Sequence, residues 1–324
     1  MSVGVGDTTM PCVLQIARHS HATGALVLID NTFLTPSLLQ PLKLSTSDEG
    51  LAVAADVVIH SAATMLAGHN DSVGGMIVTR DIGLAEQIRR ARSVYGGILS
   101  PYHCFLMMRG IATLSARMRV HSENAMAVAK FLSQHSAVAS VHYPGLLTDP
   151  GHPTSARLLS AGPGRGRLYG AMLGFTLHGG VEEIKRFAAH LSLCRLATDL
   201  GGSETLASVS LPEAWLEPSA ATCGFVRLSV GIEHDGDIIA DLRSALDAAQ
   251  TVPVMPRSIC GSLLLRELPA LPIVPAGAVP PTKRLVDAIV APRAEQADPT
   301  ASGGMVMVAE PVRRCSLVCV VCAD

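Results

Sequence analysis

Two polar residues in this chain close short apolar runs, and ligand chemistry would begin there. Asp30 ends ALVLI (Ala25–Ile29), and Ser61 follows DVVI (Asp56–Ile59) and His60. In open α/β sheets ligands bind beyond the carboxyl ends of the strands, so a carboxylate and a hydroxyl at two such ends are candidates for one site. On residue type alone the plainer reading is stronger for each. A strand-end Asp commonly caps a turn, and an isolated Ser is an ordinary loop residue. Other chemistry-bearing groups fare worse. His60, His69 and His121 are too scattered to propose a metal site. Cys315, Cys319 and Cys322 lack an obvious fourth ligand and match no strong zinc spacing, so no metal is assigned. GPGRG at Gly162–Gly166 could offer backbone amides to an anion, although a flexible loop is the better description.

The elements that would carry Asp30 and Ser61 are legible from periodicity. Val13–Ala22 reads as an amphipathic helix, and Gly24 then punctuates it. Three short apolar runs follow, Ala25–Ile29, Asp56–Ile59 and Gly75–Val78. Runs of this kind between helical pieces predict a mostly parallel sheet with helices packed on it. From Pro101 to Gln134 the pattern is helical and too long for one ordinary helix, with Gly110 as the expected bend. Pro144 and Gly145 break the chain, and strand-like pieces recur at Val138–Tyr143, Ala171–Leu177 and Phe225–Val230. Asp237–Ala249 reads as a helix closing a small α+β domain. The expected division is therefore 1–139, 140–250, and a proline-rich, irregular extension at 251–324. That extension holds ten of the twenty prolines and four of the eight cysteines.

Composition narrows the class. The chain has 324 residues, 48% apolar and 16% charged, with a net charge of -2, so no basic surface points to nucleic acid or anionic lipid. No apolar stretch approaches the ~20 residues a membrane helix needs. MSVGVGDTTMPC lacks the basic start and apolar core of a signal peptide. Eight cysteines in a chain of this length do not form a disulfide scaffold, so a cytoplasmic protein is the expectation.

Longer motifs carry a specific resemblance. ALVLIDNTFLTP (Ala25–Pro36), ADVVIHSAATMLAGHND (Ala55–Asp71), GGMIV, and GGILSPYHCFLMMRGIATLSARM (Gly96–Met118) resemble the pyridoxal-phosphate (PLP) core of the Cys/Met-metabolism enzymes. VHYPG (Val141–Gly145), LGGSETL (Leu200–Leu206) and VRLSVGIE (Val226–Glu233) resemble that family's C-terminal domain. The family includes cystathionine γ-synthase, cystathionine lyases and methionine γ-lyase. Several ordered motifs at the right spacing make a stronger signal than any short motif alone. The resemblance implies an α/β protein of the PLP-dependent transferase fold (fold type I, aspartate-aminotransferase-like), with a large domain and a small C-terminal α+β domain. It also implies pyridoxal phosphate as cofactor, an oligomer of like or related chains, and an amino-acid substrate of the sulfur or homoserine class.

By resemblance Asp30 holds the protonated ring nitrogen of the cofactor, an electron sink that the protein orients and tunes. Ser61 resembles a phosphate-binding hydroxyl. Arg227 resembles the arginine that pairs with the substrate α-carboxylate, a planar partner suited to a guanidinium fork. Two positions depart from the pattern. Asp199 stands where the family has a serine that assists carboxylate binding, and a second carboxylate would repel the first. More consequential is Thr64. The family reads His-Ser-Ala-Thr-Lys-Tyr, whereas this chain reads His60-Ser61-Ala62-Ala63-Thr64-Met65. Aligned without gaps, the Schiff-base lysine becomes Thr64; a shift of one residue puts Met65 there. Neither a hydroxyl nor a thioether forms an imine, so covalent attachment is expected to be absent. Only four residues are lysine, and Lys43, the closest in sequence, follows a different strand. The family's first third, with its glycine-rich phosphate turn and stacking aromatic, has no counterpart in the residues present, so the large domain is expected to be incomplete. The expected function is trans-sulfuration chemistry, impaired at Thr64. The alternative is an inactive relative or regulatory partner of an intact enzyme.

Overall fold

The computed structural model describes residues 13–44, 55–159, 166–210, 224–250 and 318–322. Helix α1 (Val13–Ala22) leads into β1 (Leu28–Asp30) and the short α2 (Thr35–Leu38). Strand β2 (Val57–Ser61), a π-type turn at Ala62–Leu66 and β3 (Gly75–Thr79) follow. Helices α3 (Ile82–Tyr95), α4 (Pro101–Ala112) and α5 (Leu114–Ser133) then lead to β4 (Val138–His142). After it come α6 (His152–Leu158), β5 (Met172–Leu177), α7 (Val181–His190), β6 (Arg195–Leu196), β7 (Leu206–Ser210), β8 (Phe225–Ser229) and α8 (Asp235–Gln250). Strand β9 (Val318–Cys322) comes from the C-terminal extension.

The first sheet has the order β1-β2-β3-β9. β1 and β2 are parallel, with Asp30 opposite Ile59, but β2 and β3 are antiparallel, with Ser61 opposite Gly75. The sheet is mostly parallel, as the apolar runs predict, and β2–β3 is its antiparallel exception. A parallel return needs a crossover, usually a full helix, and Ala62–Gly74 supplies only one turn. β9 pairs in parallel with β3, Val318 opposite Gly75. These five residues are regular where the extension was expected to be irregular; the rest of it lies outside the described residues, as do Gly162–Arg165 and Cys315.

The second sheet, β4-β5-β8-β7-β6, is antiparallel except for the pair β6–β7. Alternation along β5 and β8 sends Leu173, Phe175, Leu177, Val226 and Leu228 into one apolar cluster. Val128 and Leu132 of α5, Ile184 and Phe187 of α7, and Leu242 and Leu246 of α8 close it. The long helical stretch breaks at Thr113, three residues after the bend expected at Gly110. Gly110 has another use: a Cβ there would lie 2.3 Å from the Ala67 carbonyl oxygen, so only glycine lets α4 approach that loop.

Candidate functional site

Asp30 and Ser61 meet through a residue that sequence reasoning passed over. The backbone N–H and hydroxyl of Thr32 both donate to Asp30 Oδ1, at 2.9 and 2.5 Å. The Thr32 hydroxyl oxygen in turn accepts from the Ser61 N–H at 2.8 Å. The turn-capping reading of Asp30 therefore holds for its Oδ1. Behind them His60 is buried on β2. Burial lowers its pKa, with the charge of Asp30 and a hydrogen bond to the Asn31 backbone acting in the opposite direction.

Thr64 lies in the π-type turn that follows Ser61, at φ -93° and ψ -119°, outside helical geometry. Its hydroxyl donates to the Ser61 carbonyl at 2.9 Å, so the side chain closes its own loop. The turn continues through Ala67 N–H to Ala62 O and Gly68 N–H to Thr64 O, at 3.0 and 2.7 Å. Arg117 of α5 fastens it from behind. Its Nη1 donates to Met65 O at 2.8 Å, and its Nη2 donates to Leu66 O and Gly110 O at 3.0 and 2.7 Å. Its Nε donates to the Thr113 hydroxyl at 3.1 Å. Burial lowers the Arg117 pKa, and the carbonyl dipoles around the guanidinium stand where a carboxylate would usually be.

The second sheet supplies the opposite wall. On β8 the alternation that buries Val226 and Leu228 turns Arg227 and Ser229 to the other face. Ser229 Oγ accepts from the Gly201 N–H at 2.9 Å. Gly201, at φ +85°, lies so close to the loop that a Cβ would sit 2.5 Å from the Met65 nitrogen. Arg227 Nη2 donates to the carbonyls of Thr198 and Asp199, at 2.9 and 3.2 Å. Desolvation lowers the Arg227 pKa and the nearby Asp199 charge opposes that. Asp199 itself is solvent-exposed and uses Oδ1 to accept from the Leu200 N–H at 2.8 Å.

The chain of contacts thus runs Asp30, Thr32, Ser61, Thr64, Gly201, Ser229, and two residues back along β8 to Arg227. Thr32 was findable, since it sits inside IDNTF. Arg117 had no signal: an arginine in a helical pattern reads as a surface charge. Among the described residues no group of three His, Cys, Asp or Glu is placed to hold a metal. His69 bonds the Ala67 carbonyl and His121 the Val230 carbonyl, both backbone roles.

A family profile described as Cys/Met metabolism PLP-dependent enzyme matches residues 7–247. The chain is 38% identical over 242 residues to cystathionine beta-lyase of Lactococcus lactis, covering 72% of this chain and 59% of that protein. It is 39% identical over 231 residues to L-methionine gamma-lyase of Fusobacterium nucleatum, covering 68% and 54%. The crystal structure of cystathionine gamma synthase from Xanthomonas oryzae pv. oryzae, in complex with cystathionine, superimposes with a TM-score of 0.63 at 38% identity. That match covers 73% of this chain and 59% of the solved one. The chain spans a little under three fifths of the length of the curated relatives it matches.

Proposed function

The chain belongs to the Cys/Met metabolism PLP-dependent enzyme family, and we propose that it keeps a site for a sulfur amino acid while its carbon–sulfur chemistry is impaired at Thr64. The observation that carries this reading is the Thr64 hydroxyl bonded back to Ser61 O. The family's pyridoxal phosphate does not fit this site as a covalently held group. By resemblance Asp30 and the Ser61 hydroxyl would make noncovalent contacts to a ring nitrogen and a phosphate, but the position that must offer an amine offers an alcohol already engaged in the loop. An alcohol cannot form the imine, nor act as the amine that moves the substrate's α-proton. No step through the cofactor follows from these residues.

What remains is recognition. Arg227 is the guanidinium for an α-carboxylate, its Nη2 held by the carbonyls of Thr198 and Asp199. Gly201 brings β8, through Ser229, against the Thr64 loop. The test is an absorption spectrum with added pyridoxal phosphate, before and after borohydride. No reducible adduct is expected, and a stoichiometric borohydride-trapped adduct on Lys43, Lys130, Lys185 or Lys283 would overturn the reading.

A second reading, an inactive partner assembled with an intact relative, is favoured by one surface. Tyr102, Phe105 and Met108 recur on one side of α4, 67%, 58% and 68% exposed, with Ile98 beside them at 57%. Apolar patches of this kind mark protein–protein contacts. Assembly into a homo- or hetero-oligomer is the expected result of sedimentation and co-purification, and a strictly monomeric chain would remove this reading. No helix among the described residues is long and apolar enough to cross a membrane.

A further inference from the structure

The family profile ends at residue 247, yet the first sheet does not end with it. Strands β1, β2 and β3 come from the matched part, and β9, from outside it, closes the β3 side. The pairing is parallel and runs the full length of β3, from Gly75 opposite Val318 to Thr79 opposite Cys322. Helix α3 lies next to both strands, and all three belong to one compact unit. β9 is thus an addition of this chain to a family sheet, and the resemblance gives it no role.

The physics of sheet edges supplies one. An edge strand shows a row of unpaired N–H and C=O groups, a template for another chain. Among the described residues the two sides of this sheet meet that hazard differently. On the β1 side the edge is three residues long and ends on the carboxylate of Asp30. On the β3 side the strand is five residues, Gly75–Thr79, with neither charge nor proline. The uncharged stretch runs from Ser72 to Thr79, between Asp71 and Arg80. β9 comes from a window of the same character, since Cys315–Ala323 holds neither charge nor proline and stands between Arg314 and Asp324. Apolar, β-branched segments of this kind aggregate when their backbone is exposed, and paired with each other each covers one side of the other. We propose that β9 guards the β3 edge: seated there in its own chain it keeps two copies from joining through β3, and a chain whose β9 is displaced associates with a second copy at that edge. Two identical edges related by a two-fold axis run antiparallel, so the partner this surface fits is β3 of the second copy. The inference stands independently of the reading at Thr64.

The test uses the full chain, first unaltered and then as Val320→Pro/Val321→Pro. In the unaltered chain, hydrogen exchange should find protected amides within Val318–Cys322; exchange as fast as in a free peptide of that sequence would overturn the pairing. Successive N–H groups of a strand point to opposite sides, so one of the two replaced residues faces β3, and the double change removes its donor. In the dilute variant the amides of Gly75–Thr79 are expected to exchange about tenfold faster, the loss of roughly one hydrogen bond, while those of β5 and β8 hold. On concentration, sedimentation is expected to show a heavier species absent from the unaltered chain, in which the β3 amides regain protection. Adding Val78→Lys to the variant is expected to suppress that species, because two-fold pairing brings like charges together on the edge. A variant that keeps the unaltered mass at every concentration, or a heavier species whose β3 amides stay unprotected or that survives Val78→Lys, would overturn the proposal. Loss of protection in β5 and β8 as well would overturn it too, by making β9 part of the frame rather than a guard of one edge.

Discussion

Around the second sheet, Phe175, Phe187 and Leu228 lose all solvent contact within one apolar cluster, whereas behind the loop Ala62–Leu66 a comparable depth of burial is reached by a guanidinium. The first arrangement draws its stability from apolar area removed from water, spread over many side chains from α5, α7, α8, β5 and β8. The second draws its shape from a few directional bonds: Arg117 to three carbonyls, Thr64 to Ser61, Thr32 between Asp30 and Ser61. The lesson is one of division of labour. Apolar packing tolerates modest substitutions of similar volume, so it makes a durable frame. A bonded loop fixes positions finely, but each bond has few substitutes, so a change at one residue such as Thr64 alters chemistry without dismantling the frame.

The largest effect expected from this contrast is at Phe175. Its ring packs edge-on against Phe187, centroids 5.8 Å apart, and both are fully buried. Phe175→Ala should destabilise the protein by about 3–5 kcal/mol, read as a lower urea midpoint with little change in slope. If the frame is cooperative, amides of β4, β5 and β8 will lose exchange protection together. A loss confined to β5 would break the comparison by showing that the cluster is not one unit.

Next in size is Arg117→Met. It keeps length and apolar stem but withdraws the donors from Met65 O, Leu66 O and Gly110 O, all in a buried setting. Unsatisfied buried carbonyls should cost about 2–4 kcal/mol in total. The distinguishing readout is local: the Ala67 and Gly68 amides, which close the turn, should exchange faster than those of the second sheet. A uniform loss of protection would mean that Arg117 belongs to the frame rather than to the loop.

The same contrast explains what could be read from sequence. Apolar runs and helical periodicity are repeated signals, so α1, β3, β5 and α8 stand close to where their patterns place them. Motif residues are legible because several stand together, and hydrogen bonds run from Asp30 through Thr32 to Ser61 and from Thr64 to Ser61. Directional bonds leave no periodic trace. Nothing local says that Arg117 points inward, that Gly110 and Gly201 are glycine because backbone passes within 2.5 Å of where a Cβ would be, or that Thr32 bridges two site residues. Strand direction is equally silent. GMIV would look the same in either orientation, and the short connection at Ala62–Gly74 is what reverses β3. Strand β9 is the extreme case: VCVVC lies far along a proline-rich extension, and it pairs with the edge of β3.

The smallest expected effect is one of acidity, and it sharpens the contrast because each region buries one histidine. His121 of α5 is fully buried, its Nδ1 at 2.7 Å from the Val230 carbonyl just beyond β8. Desolvation lowers its pKa; the Val230 hydrogen bond opposes this, the Arg117 charge adds to it, and the Glu233 charge opposes it. The folded chain therefore holds this proton less tightly than the unfolded chain, whose histidine titrates near 6.5. As pH falls through 6.5 the unfolded state takes up the proton first, so stability declines from there down to the lowered folded value, by up to about 1.4 kcal/mol per pH unit for one histidine. His60 on β2 should behave in the same sense, with Asp30 as the opposing charge. Urea unfolding between pH 7.5 and 5 should show a decline that His121→Gln makes shallower, because glutamine keeps a donor for Val230 O without titrating. In Arg117→Met, one of the charges that lowers the His121 pKa is gone, so the decline should shrink there as well. A decline unchanged by Arg117→Met would mean that desolvation alone sets the histidine, and that the cation under the Thr64 loop does not reach the second sheet.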